Sequence, residues 1–306
     1  LMTETNYLLA ERSELLPLFF AIDVSLIVLE YFAGRLAHRE THDAKETAAS
    51  LVIAIGNKMV RALEAGIVAV PFLLAYQYRL LEIDLASPLA WIGLFLLVEF
   101  VYYWHHRVSH TVRWLWATHS VHHSPTRFNL TAGIRLGWTA GVSGHFLFYV
   151  PLALIGFQPL AIAAVLGVNL GYQFFIHSEL VPRLGPLEWI LNTPTHHKVH
   201  HACNAECLDK NYGGTLIVFD RLFGTFAAPP VDEPLRYGLV GRVPTNNPVA
   251  IVFGEWSSMI RDLRNPSSGF AGWLSILFGP PRAKSDLNDD IETKRRSPVE
   301  VPFVNR

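Results

Sequence analysis

Charge and cysteine are both scarce in this chain of 306 residues. Only 17% of its residues are Asp, Glu, Lys or Arg, where an average soluble domain carries about 25%. The formal net charge is −1, so there is no basic field to attract nucleic acid, and no nucleic-acid partner is expected. Two cysteines, Cys203 and Cys207, cannot build a disulfide scaffold. Their CxxxC spacing beside a histidine cluster leaves a zinc site open, but ordinary thiols on a reducing face is the simpler reading. No internal repeat or low-complexity tract is present, and no Gly-x-Gly-x-x-Gly follows a strand, which removes a built-in flavin or nucleotide site. No charged leader with a cleavage site follows the opening Leu1-Met2, so no removable signal peptide is expected, and those two residues do not look like a natural start.

Apolar sequence is what the chain has in quantity: 51% of it is hydrophobic and the mean hydropathy is +0.26. A membrane span needs roughly 20 mostly apolar residues. Candidate stretches run over Leu15–Ala33 (with Asp23 and Glu30 inside), Leu51–Tyr76 and Pro88–Trp104, then Gly137–Ile155 and Pro159–Ile176. The second is interrupted by Asn57, Lys58, Arg61 and Glu64, and reads as one long helix, amphipathic at its start and inserted at its end. Only Gly156-Phe157-Gln158 separate the last two, which predicts a helical hairpin over 137–176. The expected fold is therefore an all-α integral membrane protein with about four to five transmembrane helices and a histidine-rich helical cap. With the histidines inside, inner loops hold Arg35, Arg39, Lys45, Arg107, Arg113, Arg127 and Arg135, against Arg12 and Arg79 outside, which puts the catalytic face in the cytoplasm. Val249–Ile260 and Phe270–Phe278 are short and apolar with Trp256 and Trp273, as in helices lying on a bilayer. From Arg282 the chain is polar and reads as a poorly ordered tail. The organisation predicted is one structural domain, with N-terminal spans over 1–104, a catalytic region over 105–226 and interfacial helices with a tail over 227–306.

Histidine is the anomaly. Of 14 histidines, six lie between His105 and His123 and four between His196 and His201. Three boxes stand out: His106-x-x-x-His110, His119-x-x-His122-His123 and His197-x-x-His200-His201. On a helix, residues at i, i+3 and i+4 share one face, so each box offers two or three imidazoles to one place. The first box extends the third apolar stretch, the second follows closely, and His177 ends the fifth stretch on the same side. One catalytic zinc takes three protein ligands and a structural one takes four; nine imidazoles therefore point to two metals. Imidazole suits iron, zinc, copper and nickel alike, and iron is preferred because a carboxylate-poor site beside lipid fits oxidation better than hydrolysis. His38, His42 and His145 read as surface or core residues. His105 and His196 sit one position off their boxes and do not share the ligand face. Paired haem histidines would lie within facing spans, which these boxes do not.

Glu99 to Phe226 resembles the fatty acid hydroxylase superfamily, also called the sterol desaturase family. The resemblance rests on Tyr102-Tyr103-Trp104-His105-His106-Arg107, Trp116-Ala117-Thr118-His119 through His123-Ser124, Asn129-Leu130-Thr131 with Arg135, and Phe175-Ile176-His177. It continues through Leu184-Gly185-Pro186-Leu187-Glu188, Asn192-Thr193-Pro194-Thr195-His196-His197, Asp209-Lys210-Asn211-Tyr212-Gly213-Gly214 and Asp220 to Phe226, with Leu235 to Leu239 fitting more weakly. The LGPLE, NTP and DKNYGG stretches are most similar to the alkylglycerol monooxygenase branch. The resemblance implies a non-haem diiron centre, O2 as oxidant and a lipid substrate. It also implies that the boxes and His177 bind metal, and raises His196 as a further ligand. Glu99 replaces the usual Asp, keeping the carboxylate but lengthening it.

The expected reaction is hydroxylation of a C–H bond in an alkylglycerol-, fatty-acyl- or sterol-like lipid; desaturation at the same site and, more distantly, zinc-dependent hydrolysis are the alternatives. The lipid enters sideways from the membrane. An external reductant is needed, either a separate electron-donor protein or a diffusible molecule such as the pterin that the branch suggests. Side chains expected to hold each imidazole by its other ring nitrogen are Glu99, Asn129, Asn192, Asp209, Asn211 and Asp220. Trp104, Trp114, Trp116 and Trp138 read as interfacial anchors before they read as an acyl cleft.

Overall fold

The computed structural model describes residues 21–264, 266 and 269–281. The tail from Arg282 and the opening of the first apolar stretch, 15–20, lie outside the described residues. What is described is helical, with no strand among the described residues and two isolated bridges, Leu191 to Leu216 and Ala202 to Tyr237. Helix α1 covers 21–36. Helix α2 (Ala44–Gln77) starts at Asp43, whose side chain accepts the Glu46 N–H. Its 34 residues rise about 51 Å, well beyond the roughly 30 Å hydrocarbon layer. The buried positions Glu46, Ala49, Ser50, Ile53, Ala54 and Asn57 follow helical spacing and all fall in its first half. The second half exposes Leu63, Ile67, Val70 and Leu73. One helix thus packs into the cap at its start and presents an apolar surface at its end, as its pattern predicts.

Helix α3 (Pro88–Thr111) opens on a proline, whose missing N–H is harmless in the first turn, and ends in the first histidine box. Helices α2 and α3 are both long and apolar enough to cross a membrane. Short helices follow: α4 (Arg113–His119), α5 (Leu130–Gly133), α6 (Ala140–Ser143) and α7 (Val150–Ile155), with a 3-10 turn at His145–Tyr149. Helix α8 (Pro159–Phe175) completes the apolar set.

The fourth apolar stretch departs from expectation. Gly144 takes a left-handed φ of 77° and splits it into α6, the 3-10 turn and α7, so it is not one continuous helix. Helix α8, at 17 residues, rises about 26 Å, short of the hydrocarbon layer. Hydropathy counts apolar residues and does not see such a break. The hairpin itself forms: Gly156 turns at φ 140°, and a Cβ there would collide with the Leu81 carbonyl. That closeness lets Leu80 and Leu81 N–H groups bond Leu154 and Ile155 carbonyls at 2.8 and 3.0 Å, tying the α2–α3 connection to the hairpin tip. Leu94, Val98, Tyr149, Leu152, Ala153, Phe157, Ala161, Ile162 and Val165 form the buried core that joins α3, α7 and α8.

The remaining helices are α9 (Pro194–His201), α10 (Val218–Leu222), α11 (Pro248–Leu263) and α12 (Gly269–Phe278). Helices α11 and α12 occupy the two stretches read as interfacial. Their inner faces pack Ile251 and Val252 on Ala49, Ile53 and Val121, and Met259 and Ile276 on Ala117. Val249, Phe253, Ile260, Phe270 and Trp273 remain exposed on the outer faces. Buried Arg113 holds α4 to α11 through Glu255 and Asp262 at 2.7 and 2.6 Å.

Candidate metal centre

Three segments bring the boxes together. His106 and His110 lie one turn apart at the end of α3, and His197, His200 and His201 lie on α9. The second box does not stay helical: α4 ends at His119, and a turn over 121–123 carries His122 and His123. His119 and His123 still point to one place, but His122 turns to another, and on helical α9 His200 likewise parts from His197 and His201, so neither three-histidine box serves a single place. The result is two nests: His106, His110, His119, His123 and His200 in the first, and His122, His177, His197 and His201 in the second. Within each nest one nitrogen per ring lies within 4.8 Å of the others. Adjacent His122 and His123 feed separate nests, as do His200 and His201. The nests adjoin where the rings of His123 and His201 stack at 4.4 Å.

Ring tautomers follow from fixed acceptors. A carbonyl only accepts, so His106 Nδ1 donates to Tyr212 O at 2.8 Å, His177 Nδ1 to Gln173 O at 2.6 Å and His200 Nδ1 to Lys210 O at 2.9 Å. Each of these neutral rings then carries a bare Nε2 lone pair directed inward. Three rings converge on His177 Nε2: those of His197, His201 and His122, at 2.9, 3.1 and 3.2 Å. One lone pair cannot accept from all three. In the first nest His106 and His123 Nε2 stand 3.0 and 3.2 Å from His119 Nε2, and His200 Nε2 is buried with no hydrogen-bond partner. Two nitrogens bound at right angles to one cation at about 2.1 Å stand about 3.0 Å apart. The donor sets fit a bound cation in each nest, and nitrogen-only donors are those that iron and other first-row metals accept.

Burial keeps these rings neutral. It pushes the imidazoles of His119, His123, His177, His197, His200 and His201 well below their ordinary range, helped by mutual repulsion with neighbouring rings. Burial likewise lowers His122 to about 4. Neutral imidazole is the form that binds metal.

His196 is not in either nest: its ring meets Phe226 edge-on at 5.3 Å, and its Nδ1 is buried without a partner. His105 also turns away, with Nε2 2.6 Å from His145 Nδ1 and Nδ1 3.2 Å from the Tyr149 hydroxyl. Cys203 is half-buried and Cys207 buried; both are free thiols outside the nests.

The polar residues read as partners of the imidazoles act one step further out. Only Asp209 faces a ring, at 3.9 Å from His110 Nδ1. Asp220 accepts from Tyr212 N, Gly213 N and Thr225 Oγ1, each at 2.7 Å, and so fixes the loop whose Tyr212 carbonyl holds His106. Asn192 Nδ2 donates to the Gly213 and Gly214 carbonyls of the same loop. Asn211 bridges His196 O and Ala227 O. Glu99, fully buried, accepts from Thr215 N, Leu216 N and Asn169 Nδ2. Asn169 in turn accepts from Gln173 Nε2, and the Gln173 carbonyl holds His177. Asn129 caps α5 and donates to Thr41 O. Main-chain carbonyls orient the rings, and side chains orient the carbonyls.

Further residues outside the nests support the centre. Glu46 accepts from Thr126 N, Thr126 Oγ1 and Arg127 N, and buried Arg135 donates to Ser50, Ser124 and the Glu46 carbonyl, so the chain after His123 is locked onto α2. Trp116 packs on His110 and His123 at 5.2 and 5.6 Å. Trp114 and Trp138 donate to Ser143 O and Ile53 O, and Trp104 packs on Phe223 at 5.2 Å, so these indoles are fixed within the protein.

The segment that carries both nests is similar to known proteins. The sequence profile of the family described as Fatty acid hydroxylase matches residues 91–225. Alkylglycerol monooxygenase of Xenopus tropicalis is 42% identical over 222 residues, covering 70% of this chain and 48% of that protein. Its Homo sapiens counterpart is 40% identical over 237 residues, covering 74% and 51%. Ornithine lipid hydroxylase OlsE of Rhizobium tropici is 32% identical over 148 residues, covering 48% and 44%. The chain spans about half the length of these curated relatives. No solved structure matches it. Residues 91–225, which carry all nine nested histidines, form a fatty acid hydroxylase domain.

Proposed function

We propose that the protein is a multi-pass membrane enzyme, a non-haem diiron oxygenase that uses O2 to hydroxylate a C–H bond of a lipid. The observation that carries this reading is the pair of adjoining nests, five and four imidazoles with no carboxylate among them. Kinship with alkylglycerol monooxygenases and a lipid hydroxylase supports a lipid substrate. Iron held by the two nests would supply the reduction of O2 that lets one oxygen atom enter a C–H bond while the other leaves as water, with two electrons and two protons from outside.

The chain's own share is to hold and dry the site. His106, His110, His119, His123 and His200 would hold one ion, and His122, His177, His197 and His201 the other. Of these nine, only His119 is more than slightly exposed, so water is largely excluded. Helices α2 and α3 anchor the cap to the bilayer, with the histidines at the cytoplasmic face, and the lipid reaches the nests laterally from the membrane. Electrons come from a separate donor protein or a diffusible reductant such as a pterin.

The test is anaerobic loading of the purified protein with Fe(II), followed by O2, a reductant and a membrane lipid extract. The expected product is heavier by one oxygen atom, and His122→Ala and His200→Ala each abolish it. A product lighter by two hydrogens would make the enzyme a desaturase. Full turnover without O2 in a zinc-loaded protein would overturn the oxygenase reading.

A further inference from the structure

Glu30 is an anomaly of the first apolar stretch, a carboxylate amid Ile27, Val28, Leu29, Tyr31 and Phe32. It is 6% exposed on α1 and has no Lys or Arg within salt-bridge distance among the described residues. A carboxylate buried in apolar surroundings is costly unless its oxygens are bonded, and both are. Ser178 Oγ donates to Oε1 at 2.6 Å and Leu130 N donates to Oε2 at 2.8 Å, with His42 Nε2 3.5 Å from Oε2.

Both donors adjoin the second nest. Ser178 follows His177, the ring on which three others converge. Leu130 lies two residues after Phe128, whose buried ring stacks on His177 at 5.6 Å and also meets His201 at 5.3 Å and His197 at 6.1 Å. Phe128 is backed in turn by Tyr237 at 5.4 Å. None of the Glu30 contacts reaches a residue of the first nest or the Tyr212 loop that orients it.

We propose that Glu30 is a positioning residue for the second nest: by clamping Ser178 and Leu130 it sets His177 and the Phe128 ring, and so governs the metal affinity of that nest alone. The inference rests on the two-metal reading above. It explains why an expensive carboxylate stands in an apolar helix, and it extends the centre's support to α1, outside the matched family region.

The test uses the full chain in detergent, stripped of metal and titrated anaerobically with Fe(II). In a His200→Ala background, which leaves the second nest whole, adding Glu30→Ala is expected to weaken iron binding about 10–100-fold, the usual effect of losing an outer partner. In a His197→Ala background, which leaves the first nest whole, Glu30→Ala should change the affinity less than about twofold. Glu30→Gln should restore most of the affinity, because its amide still accepts from Leu130 N–H and donates to Ser178 Oγ. Equal weakening in both backgrounds, or none in the first, would overturn the proposal. Should Glu30→Ala fail to fold, Ser178→Ala decides by the same comparison. Wild-type protein that takes up fewer than two iron ions would instead defeat the two-metal reading itself.

Discussion

The Tyr212 carbonyl accepts the Nδ1–H of His106 at 2.8 Å, and that bond leaves the His106 Nε2 lone pair bare and aimed into the first nest. The carbonyl is itself held by Asp220, which accepts the N–H groups of Tyr212 and Gly213. Replacing Asp220 by Ala orphans both buried donors, at about 1–3 kcal/mol each. The variant is expected to melt at lower temperature and to bind iron in the first nest about 10–100-fold more weakly. Thermal unfolding and a metal titration check both.

Gly214 allows the same loop to lie against α8. A Cβ there would collide with the Asn169 side-chain nitrogen and press on the Tyr102 ring, and Asn169 is the link from Glu99 to Gln173 and hence to His177. Gly214→Ala is expected to destabilise the protein by about 1–3 kcal/mol, the usual effect of overpacking, and to lower iron uptake. A melting temperature equal to wild type would show that the loop is not clamped in this way.

The histidine boxes were legible because i, i+4 spacing is local information: His106 with His110, and His197 with His201, share a helix face whatever surrounds them. His177, alone in sequence, was legible by its place at the end of an apolar stretch and by the family resemblance. The division of labour between the nests was not, since His122 and His200, each read as sharing a face with its box partners, turn to the other nest. Nor was the source of ring orientation. Tyr212, Gln173 and Lys210 act through main-chain carbonyls, which every residue has, so side-chain identity does not reveal the role. The apolar stretches located the helices, but the left-handed Gly144 that breaks the fourth is a tertiary outcome. His196, which the resemblance raised as a further ligand, instead meets Phe226 edge-on outside both nests. For Glu30 the signal was present, a charge inside an apolar run, without any hint of what it would grip.

Arg113 fixes the C-terminal helices to the second box. Its guanidinium is 2% exposed and paired with Glu255 and Asp262. Breaking a buried pair from one side costs about 3–5 kcal/mol, because the remaining charge is stranded. Glu255→Ala is expected to lose stability on that scale and to open α11 and α12 to protease, whereas Arg113→Met, which removes the buried cation, should be milder. Limited proteolysis followed by mass spectrometry reads the difference.

Acid should unfold the metal-free protein early. The imidazoles of His119, His122, His123, His177, His197, His200 and His201 titrate below the unfolded value near 6.5, with His122 near 4, so below about pH 6.5 the unfolded chain binds more protons than the folded one. Stability is full above that pH and falls steadily as the pH drops from about 6.5 toward 4. Melting temperatures of the metal-free protein measured from pH 7.5 to 5 should decline, while the iron-loaded protein resists until protons displace the metal. A flat profile for the metal-free form would contradict the burial of neutral rings.

The proposed centre divides nine imidazoles five and four around two ions. Iron-edge X-ray absorption on protein with a measured iron-to-chain ratio tests this most directly. Two iron ions per chain in a shell of nitrogen ligands, falling to one when either His119 or His201 is replaced by Ala, is the result expected. One ion or none in the wild-type chain, or sulfur among the ligands, would contradict it.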